Sequence, residues 1–173
     1  RHFDPDFTGP LLQGERGEPL WPNTVTGNLS HSETIVAAAG GLSLDYYGIG
    51  LDIENAERSI DSKIGDIICT EHERERCSSV KQLLSLFSAK EAFYKAVFPV
   101  WKRYIAFRDV ELEWIEDISA FVIRKADGLK NGRNGRIESP GLLNSCYATR
   151  PLLTPTYSVS HFSTHRYGSI ICS

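Results

Sequence analysis

Between Tyr46 and Glu54 the sequence alternates as a strand does. Ile49, Leu51 and Ile53 fall on one face, and Asp52 and Glu54 fall on the other. Two like charges on one side of a strand repel each other unless water, a partner or a cation neutralises them. An arbitrary Asp-x-Glu is most simply an exposed strand face. Here Gly48-Ile49-Gly50 leads into the pair and apolar residues bracket both acids, which suggests a strand entering a site.

The elements around this strand can be read from periodicity and punctuation. Val80–Phe98, free of Gly and Pro, predicts the longest helix, ended by Pro99. Leu83, Leu84, Phe87, Phe93, Tyr94, Val97 and Phe98 give it a wide apolar face. Thr70-Glu71-His72-Glu73 matches a capping box and predicts a short charged helix to about Cys77. Residues 1–26, rich in Pro and Gly, read as a turn-laden lead-in, and Val25–Ala39 as two short strands about a polar turn at Ser30–Ser32. Val110–Trp114 and Ala120–Arg124 read as strands, with Glu116-Asp117 near their turn. Asn131-Gly132 and Asn134-Gly135 mark a polar loop, and Thr156–His161 and Tyr167–Cys172 read as closing strands. Strands and helices mix without βαβ spacing, which predicts an α+β fold.

Composition narrows the function classes. The 173 residues suffice for one core, with room for two small lobes. A net charge of −3 lacks the basic footprint of non-specific nucleic-acid binding, so no nucleic-acid partner is expected. The apolar runs fall short of the roughly 18–20 residues of a membrane span, and no charged-then-apolar leader precedes the first strands. We therefore expect a cytoplasmic protein without a membrane partner. Cys69, Cys77, Cys146 and Cys172 are irregularly spaced and read as free thiols. Cys69 and Cys77 with His72 between them resemble a metal-ligand spacing, but on a charged, capped helix they read as ordinary solvated residues.

Glu91, a third carboxylate, lies in the long helix, and Lys95 shares its face one turn on. The plain reading is a surface ion pair worth a few tenths of a kcal/mol. Phe87, Phe93 and Tyr94 argue instead for a partly dry face, and Lys90 adds a positive charge beside it. Few oxygen ligands of this kind suit Mg²⁺, which takes its remaining ligands from water and substrate phosphates. Ser30-His31-Ser32 offers two hydroxyls and an imidazole beside a Gly27-containing segment, donors suited to a phosphate monoester, or else a turn with a structural histidine.

In this order, Trp21-Pro22, Gly27–His31, Gly50–Glu54 and Phe87–Lys95 resemble the 4′-phosphopantetheinyl transferases of the larger, monomeric type that serve siderophore and surfactin synthases. Phe3-Asp4-Pro5, Glu71-His72-Glu73-Arg74 and Phe107–Trp114 look like the siderophore-synthase branch. The resemblance implies two similar α/β lobes about a pseudo-twofold axis, with coenzyme A in the cleft between them. Residues 1–173 would form one transferase unit, divided approximately into lobes 1–50 and 51–173. It implies that Asp52, Glu54 and Glu91 bind Mg²⁺ with the coenzyme diphosphate. Lys95 would contact the phosphates, Ser30 and His31 the 3′-phosphate, and Gly17-Glu18-Pro19 the adenine. Glu91 and Lys95 would be catalytic, with Glu91 the base for a carrier-protein serine.

The implied reaction moves 4′-phosphopantetheine from coenzyme A to a serine of an apo acyl- or peptidyl-carrier protein, or of a synthase carrier domain, and releases 3′,5′-adenosine bisphosphate. A relative that binds coenzyme A and carrier protein without turnover is the alternative. A nucleotide pyrophosphohydrolase lacks its usual glutamate-dense helix here. The family also places a basic helix between an FDP-like segment and the Gly-x-Pro turn, where this chain offers only Arg1 and Arg16. Together with the absence of methionine, this leads us to expect a longer molecule. The basic run Lys130–Arg136 could meet an acidic carrier, and reads more simply as a solvated hairpin loop.

Overall fold

The structure, a computed structural model, describes residues 7–118, 120–126, 147–148 and 157–165. Arg1, Phe3-Asp4-Pro5, the loop Lys130–Arg136, Cys146, Cys172 and the strand expected at Tyr167–Cys172 lie outside these residues. In chain order, β1 (Leu12–Gln13) pairs with β2 (Pro19–Leu20), and β3 (Val25–Ser32) forms a hairpin with β4 (Ile35–Leu42). Strand β5 (Tyr46–Asn55) is followed by helices α1 (Ile64–Ile68), α2 (Glu71–Arg76) and α3 (Val80–Trp101). A 3₁₀ turn (Phe107–Asp109) leads into β6 (Val110–Ile115), and a second (Glu116–Ile118) into β7 (Ala120–Ala126). Strand β8 (Tyr147–Ala148) joins β7, and β9 (Tyr157–His165) joins β5. All the strand pairings among the described residues are antiparallel, as an α+β fold requires.

Helix α3 lies along β5, and the sequence dictates how closely. A Cβ built on Gly48 would stand 1.9 Å from the carbonyl oxygen of Ala96, and one on Gly50 would stand 1.8 Å from that of Ala92. Only glycine on the strand lets the helix backbone approach to this distance. Ala89, Ala92 and Ala96 are fully buried on the helix side, with Phe93 and Val97 filling the core beside them. Burying a side chain such as Phe93 stabilises the fold by about 1.5–3 kcal/mol.

A buried ion pair joins the other elements to α3. Lys90, 2% exposed, places its Nζ 2.6 Å from Glu73 Oε2, 2.7 Å from the carbonyls of Ile68 and Val110, and 2.8 Å from that of Phe107. Glu73 in turn accepts from the backbone N–H of Leu112 and, through the capping box expected at Thr70, from that of Thr70, both at 2.7 Å. Burial depresses the Lys90 pKa, and Glu73 opposes that shift. Lys90 thus points into the core between α1, α2 and β6, and does not add its positive charge beside Glu91 as the sequence had suggested.

Two assignments differ from expectation, and one helix is added to it. Pro99 does not end α3, which runs on to Trp101 and stops at Lys102 in the left-handed conformation (φ 50°). A proline in the final turn forfeits one backbone bond, while the Lys102 N–H still bonds the Phe98 carbonyl. Ser30, His31 and Ser32 lie within β3, not in a turn; the chain reverses at Glu33 (φ 46°) and Thr34, pairing Ser32 with Ile35. Helix α1 carried no sequence signal that we recognised. We predict that Gly50→Ala forces α3 off β5 and costs at least the 1–3 kcal/mol typical of overpacking, measurable by urea unfolding; wild-type stability would refute the close packing.

Candidate active site

The packing of α3 on β5 carries residues from both elements into one place. Lys95, a quarter exposed, does not pair with Glu91 along the helix but reaches across to β5, its Nζ 2.7 Å from Asp52 Oδ1. It also stands 3.3 Å from the Leu51 carbonyl and 3.4 Å from Ser30 Oγ. The hairpin β3–β4 completes the wall. Buried polar residues Thr26, Asn28 and Ser30 alternate along β3, and two of them substitute for a backbone ladder. Leu51 N–H donates to Asn28 Oδ1 at 3.1 Å, and Ile53 N–H to Ser30 Oγ at 3.2 Å. The Ser30 hydroxyl donates in turn to Asp52 Oδ1 at 3.3 Å. The polar alternation Thr26-x-Asn28-x-Ser30 was the available signal for these positioning contacts, and the sequence reading used only Ser30.

Asp52 is 5% exposed, and its second oxygen, Oδ2, is buried without a hydrogen-bond partner. An unpartnered carboxylate oxygen in such a position is costly unless something completes it. Nearby, the Glu54 carboxyl is raised above its ordinary pKa by burial first and by repulsion from Asp52 second, against the opposing pull of Arg58 at 3.2 Å. Glu91 is raised by burial; Lys95 opposes the shift, and Asp52 and Glu54 add to it. Glu54 and Glu91 therefore sense Asp52 as well as their own burial, and neither Arg58 nor Lys95 offsets the rise.

A cavity of about 590 Å³ opens at this point, lined by Ser30, His31, Asp52, Glu54 and Lys95 with Gly17 and Pro19. A second, of about 480 Å³, shares Gly17, Pro19, Leu29 and Lys95 with it and is bounded by Glu18, Trp21, Tyr94 and Phe98. His31 is exposed on β3. Gly17 (φ 86°) makes the turn before β2 possible, and Glu18 folds its carboxylate back to the Arg16 N–H at 2.9 Å. Glu91 lines neither cavity. Every other expected site residue does.

Among the described residues, no three His, Cys, Asp or Glu side chains enclose a metal ion by themselves. Mg²⁺ does not require that, since it is held by one or two carboxylates together with substrate phosphates and water. The orphaned Asp52 oxygen and the two raised glutamates are donors of the right hardness and number. Cys69 and Cys77 are free thiols, burial pushing the Cys69 thiol up to about 11, and His72 bonds Glu111 at 3.3 Å.

Residues 48–135, which contain β5 from Gly48 onward, helices α1 to α3, β6 and β7, match the 4′-phosphopantetheinyl transferase superfamily. The chain belongs to that superfamily. It is 35% identical over 113 residues to the 4′-phosphopantetheinyl transferase Npt of Nocardia iowensis, covering 62% of this chain and 50% of that protein. It is 28% identical over 149 residues to PptT of Mycobacterium tuberculosis (84% and 60%), and 32% identical over 123 residues to Svp of Streptomyces mobaraensis (67% and 50%). The chain thus spans roughly half the length of these curated relatives. In fold it is similar to the crystal structure of Thermotoga maritima holo-[acyl-carrier-protein] synthase, with a TM-score of 0.50 and 19% identity over 70% of this chain and 65% of that one.

The raised carboxyls make a thermodynamic prediction for this superfamily member. As pH rises, the unfolded chain ionises Glu54 and Glu91 first, so stability falls between the ordinary carboxylate pKa and the higher folded-state values, and the deficit persists above them. Glu91→Gln removes one of these groups and is expected to raise the melting temperature at neutral pH, without coenzyme or divalent cation. The gain should disappear in acid below the ordinary carboxylate range. A lower melting temperature at neutral pH would mean that Glu91 is paired, not isolated.

Proposed function

We propose that the protein transfers the 4′-phosphopantetheine group of coenzyme A to a serine of an apo acyl- or peptidyl-carrier protein, with Mg²⁺ as cofactor. The observation that carries this reading is the Asp52–Lys95 pair with its free Oδ2, set beside Glu54 at a cavity that His31 and Ser30 also line, with Glu91 close enough to feel all three charges. A positive side chain and excess carboxylates at one place suit a diphosphate that arrives with a hard cation. Asp52, Glu54 and Glu91 would hold Mg²⁺, whose charge would neutralise the diphosphate and ease departure of the leaving group.

In the reaction the serine oxygen forms a bond to the β-phosphorus of coenzyme A. The bond from that phosphorus to the bridging oxygen breaks, and 3′,5′-adenosine bisphosphate departs. Glu91 takes the serine proton, and the burial that raises its pKa makes it a stronger base than an exposed carboxylate. Lys95 stays with the phosphates, at the shared wall of both cavities. Exposed His31 meets the 3′-phosphate, while Ser30 fixes Asp52 and offers the same hydroxyl to that anion. The Gly17–Pro19 turn flanks the adenine.

The reading extends to a monomeric, cytoplasmic enzyme of secondary metabolism whose two lobes, 1–50 and 51–173, are related by a pseudo-twofold axis, with the division falling inside β5. No helix among the described residues is long and apolar enough to cross a membrane. The intact mass of an apo-carrier protein, incubated with the protein, coenzyme A and Mg²⁺, tests the reaction. A gain equal to phosphopantetheine is expected; unmodified carrier with tightly bound coenzyme A would replace transfer by binding alone. His31→Ala is expected to raise KM for coenzyme A by roughly tenfold to a hundredfold, the worth of a charge-assisted phosphate bond. KM for 3′-dephospho-coenzyme A should barely change, and equal effects on both would remove His31 from the phosphate site.

A further inference from the structure

Lys90 immediately precedes Glu91 on α3, yet its side chain leaves the site altogether. Successive helical residues point about 100° apart, so whatever fixes Lys90 also fixes the direction of Glu91. Few lysines are fixed so firmly: the Lys90 ammonium lies within 2.6–2.8 Å of four acceptors. Those acceptors come from the end of α1 (Ile68), from α2 (Glu73), from the 3₁₀ turn before β6 (Phe107) and from β6 itself (Val110). Glu73 carries the restraint further, since its other oxygen accepts the Leu112 N–H and its cap bond closes α2. On the opposite side, the carbonyls of Ala92 and Ala96 rest against Gly48 and Gly50. Both α3 contacts therefore leave the helix no freedom to turn about its axis.

We infer that Lys90 and Glu73 are positioning residues for the transfer reaction: by locking the rotation of α3 they hold Glu91 and Lys95 toward Asp52 and Glu54. The inference rests on the function proposed above. It assigns to the buried pair a role in the chemical step, over and above its contribution to folding. Neither residue touches the coenzyme cavity, so neither is expected to alter coenzyme A affinity directly. A buried ion pair is in any case poor evidence of stabilisation, because an apolar pair of similar volume often serves as well.

The test compares wild type with Lys90→Met/Glu73→Gln, which neutralises both charges together and leaves neither buried alone. Ser79→Ala serves as the control, since it removes only the bonds of the Ser79 hydroxyl with the backbone N–H and side chain of Gln82 at the far end of α3. Calorimetry with coenzyme A and Mg²⁺ counts the binding-competent molecules, and single-turnover transfer to an apo-carrier protein gives the rate per competent molecule. For the double variant that rate is expected to fall by about a hundredfold, the cost of a misplacement near 1 Å. Coenzyme A affinity should be retained, and Ser79→Ala should keep the wild-type rate per molecule whatever its stability. If the double variant loses competent molecules but each remaining one turns over as wild type does, the pair is structural only and the inference is overturned. Should the double variant not fold, Lys90→Met alone, which removes all four of the bonds that hold the helix at this point, makes the same comparison, and an unchanged rate per molecule overturns the inference equally. A wild-type protein that binds coenzyme A and leaves the carrier unmodified instead rejects the functional reading itself, before any variant is made.

Discussion

The approach of α3 to β5 governs everything built on it. Helix carbonyls meet the strand where Gly48 and Gly50 have no Cβ, and the small side chains of Ala89, Ala92 and Ala96 fill the helix side of the contact. At that separation Lys95 can span from helix to strand and reach Asp52 at 2.7 Å. With larger residues at either glycine, the helix would stand off, and Lys95 would lose its partner across the gap. The buried Lys90–Glu73 pair closes the same assembly from behind, tying α1, α2 and β6 to the middle of α3. A backbone contact and a buried charge pair thus fix two faces of one helix, and the third face carries the candidate chemistry.

The charges on that face are not balanced. Two of the three carboxylates are raised mainly by burial, despite Lys95 at Asp52 and the more exposed Arg58 at Glu54, and Asp52 keeps one oxygen without a partner. Such a site is incomplete in physical terms, since its electrostatic cost is relieved only by an added cation or by protonation. A metal–diphosphate complex brings both the cation and an anion for Lys95. Lys95 forms a wall common to both cavities. Superfamily membership, which covers β5 and all three helices, is consistent with that chemistry without supplying it.

Much of this was legible from local pattern. The alternation from Tyr46 to Glu54 located β5 and placed Asp52 and Glu54 on one side, because a period of two leaves no other choice. The capping box at Thr70 and the unbroken run to Phe98 located α2 and the body of α3. What the sequence concealed depends on tertiary contact. Nothing local distinguishes Lys90, buried among four acceptors, from Lys95, which turns to the site, for both sit on an amphipathic helix. Nor does the i, i+4 spacing reveal that Lys95 prefers Asp52 to Glu91. Ser30 and His31 read as a turn because small polar residues favour turns, whereas pairing with Ala37 and Val36 holds both in β3.

The central claim is that the carboxylates and Lys95 together await a cation-bound diphosphate. Calorimetric titration of coenzyme A into the protein, with Mg²⁺ present and then with Mg²⁺ removed by chelation, tests it most directly. The account predicts that removing Mg²⁺ weakens coenzyme A binding severely, because the diphosphate then meets uncompensated carboxylates. It also predicts that neutralising Asp52 as Asp52→Asn largely abolishes the difference between the two titrations. Equal affinity with and without Mg²⁺ in the wild-type protein would contradict it.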